Sequence, residues 1–94
     1  MNIDDFVFLP EIVDKLAAKH RLTQDEVEQV FFNNPRYRFI ESGHRQGEDV
    51  YAAMGQTDAG RFVVVFFVHK GGNVALILSG RDMDGGERRQ HERK

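Results

Sequence analysis

Arg81 follows directly on an apolar run, VALIL at residues 74–78, with only Ser79 and Gly80 between. A guanidinium fixed at the exit of a buried strand offers two parallel N–H donors, the geometry that grips a phosphate or a carboxylate. Asp82 and Asp84 stand beside it, so an ion pair with a neighbouring carboxylate is the competing use of the same group. Arg61 opens the other long apolar run, FVVVFFV at residues 62–68. Arg88 and Arg89 lie in a charged segment, ERRQHE at residues 87–92, and Lys19-His20 is a further cationic pair. Arginine and lysine stabilise anionic charge, while histidine, glutamate or lysine can move a proton. Lys19, His44, Glu48 and His91 are of the second kind.

Each of these residues has a plainer use. Lys19 suits a helix surface, His20 suits the negative end of a helix dipole, and His44 sits in a polar loop between Gly43 and Arg45. His69 ends an apolar strand, and His91 stands in a highly charged segment where a solvated side chain is expected. The four histidines show no pairing at metal-ligand spacing, and neither a metal nor another cofactor is expected. With no cysteine, the chain has no disulfide, thiolate ligand or thiol nucleophile. Gly71-Gly72 marks a hairpin rather than a phosphate loop, because no helix pattern follows it.

The elements that must position these groups follow from periodicity. Pro10 to His20 reads as a helix with proline in the first turn and Ile12, Val13, Leu16 and Ala17 on one face. Thr23 and Glu26 form a capping box for a second helix to about Phe32, stopped by Asn33-Asn34-Pro35. Residues 36–41 alternate, Tyr37 and Phe39 one way, Arg36, Arg38 and Ile40 the other, as an edge strand does. A loop at residues 42–47, a strand at 50–56 and a turn at 57–60 precede the two apolar strands. The expectation is an α+β domain, ααββββα, with a four-stranded antiparallel meander. Asp82 or Asp84 caps a final helix containing Arg88 and Arg89, and residues 91–94 form an unstructured tail.

Ninety-four residues suit one domain spanning residues 1–94. Net charge is −2, which argues against strong non-specific nucleic-acid binding. The first thirty residues hold seven acids against three bases, however, and the remainder holds ten bases against eight acids. A local basic face therefore remains open. No apolar run reaches the roughly 18–20 residues that cross a bilayer. Asp4 and Asp5 stand where a secretion signal carries bases. A cytoplasmic protein with no membrane partner is the expectation.

GRFVVVFF, then GGNVALILSGRDM, then ERRQHE resembles the C-terminal half of the BrnT-like toxins, small RelE-like proteins of bacterial type II toxin–antitoxin pairs. KHRLT at residues 19–23 and GEDVYAAMG at residues 47–55 fit in order. The resemblance implies a metal-independent endoribonuclease with Lys19 and Arg81 beside the scissile phosphate. Glu48 and His91 would serve as further catalytic groups, and Arg61, His44, Arg88 and Arg89 as RNA contacts. It also implies a ribbon–helix–helix antitoxin that binds operator DNA, with the complex doubling through that antitoxin. Two departures stand out: where the family pattern carries arginines this chain has Val50 and Leu76, and His91 replaces a phenol. Two missing cations each weaken transition-state binding by a few kcal/mol. The alternative is thus a non-catalytic relative that binds protein or RNA.

Overall fold

The computed structural model describes residues 1–45 and 47–93. In chain order it contains β1 (Asp5–Val7), α1 (Pro10–His20), α2 (Gln24–Phe32), β2 (Arg36–Glu41), β3 (Val50–Gln56), β4 (Phe62–Lys70), β5 (Val74–Asp82) and α3 (Gly85–Glu92). The strands form one sheet in the order β1-β5-β4-β3-β2. The expected antiparallel meander is present as β2 to β5. It is not the whole sheet: β1 adds a fifth strand parallel to β5, from Asp5 opposite Val74 to Val7 opposite Leu76. The sheet is therefore mixed, and a strand precedes the helices. Three residues are too few to show a period. What makes β1 a strand is the free edge of β5, together with Asn73 O, which accepts from the Asp4 and Asp5 N–H groups.

The two N-terminal helices form for the reasons their sequences suggest. Pro10 occupies the first turn of α1. Its C-terminus closes with Arg21 in the left-handed region at φ 51°, where the Arg21 and Leu22 N–H groups reach Ala17 O and Leu16 O. This closure buries Leu22 beneath the turn. Thr23 caps α2, taking the Glu26 N–H at 3.1 Å while Glu26 Oε1 takes the Thr23 N–H at 3.0 Å. Leu16, Leu22, Val27, Val30 and Phe31 pack on Ala53, Val63, Val65, Phe67, Ala75 and Ile77, one face of the sheet.

β5 departs from expectation in length. It runs on through Ser79, Gly80, Arg81 and Asp82, paired with β4 back to Val63. Ile77 faces Phe67 and Ser79 faces Phe66, so Leu78 is an extra residue, a β-bulge. The bulge changes which residues face which way. Beyond it Gly80 turns toward the helices, where a Cβ would stand 3.2 Å from Leu16 and 3.3 Å from Leu22. Arg81, the next residue, therefore points out of the opposite face. Were β5 regular through Leu78, with no bulge, Arg81 would share the face of Ile77 and point into the helical layer.

On that opposite face, α3 lies over the end of the strands. Asp84, not Asp82, caps it: Asp84 Oδ1 accepts the Glu87 N–H at 2.7 Å, and Asp84 N–H reaches Glu87 Oε1 at 2.9 Å. The helix continues to Glu92, and Arg93 N–H still reaches Arg89 O. Residues 91–93 thus belong to or close α3 rather than form a loose tail, because His91 is buried against Phe62, ring to ring at 5.9 Å. Lys94 and Gln46, parts of the expected tail and loop, lie outside the described residues.

Candidate nucleic-acid interface

Strand register arranges the open face of the sheet in rows. Arg36, Met54, Val64 and Arg81 form a row toward α3, just behind Phe62; Arg38, Ala52, Phe66 and Ser79 form the next. Val50, Val68 and Leu76 form a third, at the far end. The first two rows carry arginine at one or both ends over an apolar floor of Ala52, Met54 and Val64, to which Phe66 and Met83 add. α3 brings Arg88 and Arg89 to the same end, with the Arg88 guanidinium 4.2 Å from the centre of the Phe62 ring. Arg36 Nη2 reaches Arg93 O at 3.5 Å.

Arg81 occupies the centre of this cationic end. Its guanidinium lies 5.6 Å from the Phe66 ring centre. It donates from Nη1 to Glu87 Oε1 at 2.7 Å and from Nη2 to Glu87 Oε2 at 2.9 Å. The carboxylate partner thus comes from α3 and not from neighbouring Asp82 or Asp84, although Asp82 O accepts from Nη1 at 3.1 Å. This two-pronged bond, opposed in part by burial and aided by the Asp84 N–H and by the charges of Arg81 and Arg38, holds the Glu87 carboxyl down at about 2.

Arg61 has a different task. Its Nε donates to Asp82 Oδ1 at 2.7 Å, and its two terminal nitrogens donate to Arg21 O at 2.8 Å and His20 O at 2.6 Å. Glu26 stands 3.6 Å away. One guanidinium thus ties the end of β5 to the carbonyls left open at the C-terminus of α1. The hydrogen bond from Arg61 lowers the Asp82 carboxyl below its usual range, with the same pairing raising Arg61.

Lys19 lines a separate cleft of about 270 Å³ with Ile12, Lys15, His20, Leu78 and Ser79, on the α1 side of β5. Lys19 belongs to α1, in a cleft at the edge of β5, whereas Arg81 projects from the open face of β5 toward α3, and no contact among the described residues joins the two. Glu48 and His44 belong to the segment before β3, at the far end of the strands from Arg81. Arg81 stands level with Met54, and Val50 is four residues, about 13 Å, further along. Glu48 is half-buried against Gly43, while His44 is exposed. Among the described residues no group of three or more His, Cys, Asp or Glu could hold a metal.

Arg36 and Arg38, not among the candidates read from the sequence, share this face with Arg81. Their signal was the R-Y-R alternation of residues 36–38, which already put both on one face; it reads as a solvated edge until α3 and Arg81 are seen on that face. The two positions lacking the family's arginines, Val50 and Leu76, fall in one row on either side of Val68. The far end of the open face is apolar there, and the near end holds the cations.

A family model described as ribonuclease toxin, BrnT, of type II toxin–antitoxin system matches residues 13–87, a span that includes Lys19, Arg38, Glu48 and Arg81 and ends on Glu87. The crystal structure of the Brucella abortus ribonuclease toxin BrnT is similar to this fold with a TM-score of 0.62 at 17% identity, covering 86% of this chain and 99% of that one. No curated protein sequence matches the chain.

Proposed function

Since the chain belongs to the BrnT family of ribonuclease toxins of type II toxin–antitoxin systems, we propose that it cleaves RNA on the α3 end of the open sheet face, without a metal. One observation carries this location: Arg36, Arg38 and Arg81 project from that face, beside Arg88 and Arg89 of α3. Attack of a ribose 2′-OH on its own phosphate gathers negative charge on the phosphorane oxygens. Guanidinium groups fixed on a sheet stabilise that charge with little reorganisation. Arg81 and Arg38 have this role in the reading, and Arg36, Arg88 and Arg89 hold flanking phosphates. A strand that crosses the free edge of β5 would meet Lys19 in its cleft. Residues 1–94 act as one domain of RelE-like type.

A type II toxin has an antitoxin as partner. The reading makes it a ribbon–helix–helix protein acting in the cytoplasm, through which the complex doubles on operator DNA; the family resemblance supports this, and the cationic face suits an acidic antitoxin segment. No helix among the described residues is long and apolar enough to cross a membrane.

Induced expression in a bacterial host, wild type beside Arg81→Ala, tests the reading through growth and total RNA integrity. Growth arrest with RNA fragmentation that disappears in Arg81→Ala is the expected result. Purified protein should cleave RNA equally with and without EDTA. Intact RNA under both conditions would favour the second reading, a binding module without cleavage. That reading draws on the apolar row Val50-Val68-Leu76, where two cations of the family pattern are replaced.

A further inference from the structure

Arg81 has two carboxylates within three residues, yet its fork is closed on a third, carried by another element. A carboxylate and a phosphodiester present the same pair of oxygens to a guanidinium. Glu87 is therefore bound as an anionic ligand would be bound, with its two oxygens on the two terminal nitrogens of Arg81. Resting on the ribonuclease reading above, we propose that the Arg81 fork is the site for one RNA phosphodiester, and that Glu87 occupies it as a built-in stand-in which the RNA phosphate displaces.

The element carrying Glu87 is suited to yield. α3 has eight residues, opens with Gly85-Gly86, and buries only His91 among its side chains. Glycines at the first turn and so short a length give it little helical stability of its own. Glu87 also serves the α3 capping box, so removing its whole side chain would disturb the helix as well as the site. Glutamine keeps that capping bond and loses the charge. The rival use of Glu87 is as the general base. A carboxylate held near 2 is far too weak a base at neutral pH for that part.

The test measures binding of a single-stranded oligoribonucleotide with 2′-O-methyl sugars, which cannot be cleaved, to wild type, E87Q, R81A and the double variant. E87Q should bind about tenfold more tightly, and the gain should vanish when Arg81 is also replaced. Unchanged or weaker binding by E87Q with a native circular dichroism spectrum would overturn the proposal, as would a gain that persists without Arg81. Should E87Q fail to fold, hydrogen exchange on the wild-type protein decides. RNA should speed exchange at the amides of residues 87–91, whereas unchanged or slower exchange there rejects the displacement. Cleavage of natural RNA is scored separately. Cleavage without tighter E87Q binding removes the inference and leaves the ribonuclease reading, while tighter binding without cleavage by any variant does the reverse.

Discussion

Arg81 and Arg61 are the same side chain put to opposite uses by their surroundings. Arg61 spends its donors on Asp82 and on two helix-end carbonyls, an arrangement that leaves no fork for a ligand. Arg81 keeps its fork on one exchangeable carboxylate at a half-buried position. Replacing Arg81 by alanine should lower RNA cleavage by about 100-fold or more, measured on purified protein with a defined oligoribonucleotide. Lysine at the same position should recover little, because an ammonium cannot make the two parallel bonds. Arg36→Ala and Arg38→Ala should each weaken RNA binding and flatten the dependence of log affinity on log salt by about 0.7, read from titrations at several salt concentrations.

The helices and strands position these residues through a few terminal contacts. The Arg61 staple joins the start of β4, the end of β5 and the C-terminus of α1. Arg61→Ala should cost about 2 kcal/mol by loss of charged hydrogen bonds to carbonyls, seen as a lower denaturation midpoint. RNA affinity measured well below that midpoint should stay at the wild-type level, which separates a staple from an RNA contact. Thr23→Ala removes the acceptor that starts α2 and should cost about 1 kcal/mol in the same measurement.

At the scale of the molecule, the acid limb of stability has a definite sign. Glu87 is held at about 2 against an ordinary 4.5, and Asp82 is also lowered. Folding therefore favours the charged carboxylates, and their contribution is complete above the ordinary carboxylate range and lost as pH falls toward 2. Because the Arg81–Glu87 pair is partly solvated, with Arg81 37% and Glu87 20% exposed, its share is about 1 kcal/mol after screening. Denaturation midpoints at pH 7 and pH 3 should differ less in E87Q than in wild type. The parallel addition of β1 to β5 gives the sheet a further strand on the side away from β2, so the α3 end with its arginines stays clear of that edge.

The sequence by itself determined the helices, the meander and the family. Proline at the start of α1, the Thr23–Glu26 capping box and the runs of β4 and β5 are local signals, each read over a few residues and each kept by the fold. It also singled out Arg81, and through the R-Y-R alternation it held the faces of Arg36 and Arg38. The tertiary structure decided the rest. β1 is a strand because β5 offers it an edge, and His91 is buried because Phe62 lies beneath α3. The bulge at Leu78, where a regular strand would have turned Arg81 inward, decides which face receives it, and the partners of Arg61 and Arg81 are up to 41 residues away in the chain. A hydrophobic period reports how one segment meets a core. A guanidinium's task depends on which distant carboxylate or carbonyl the folded chain sets before it, and that is fixed only when the elements pack.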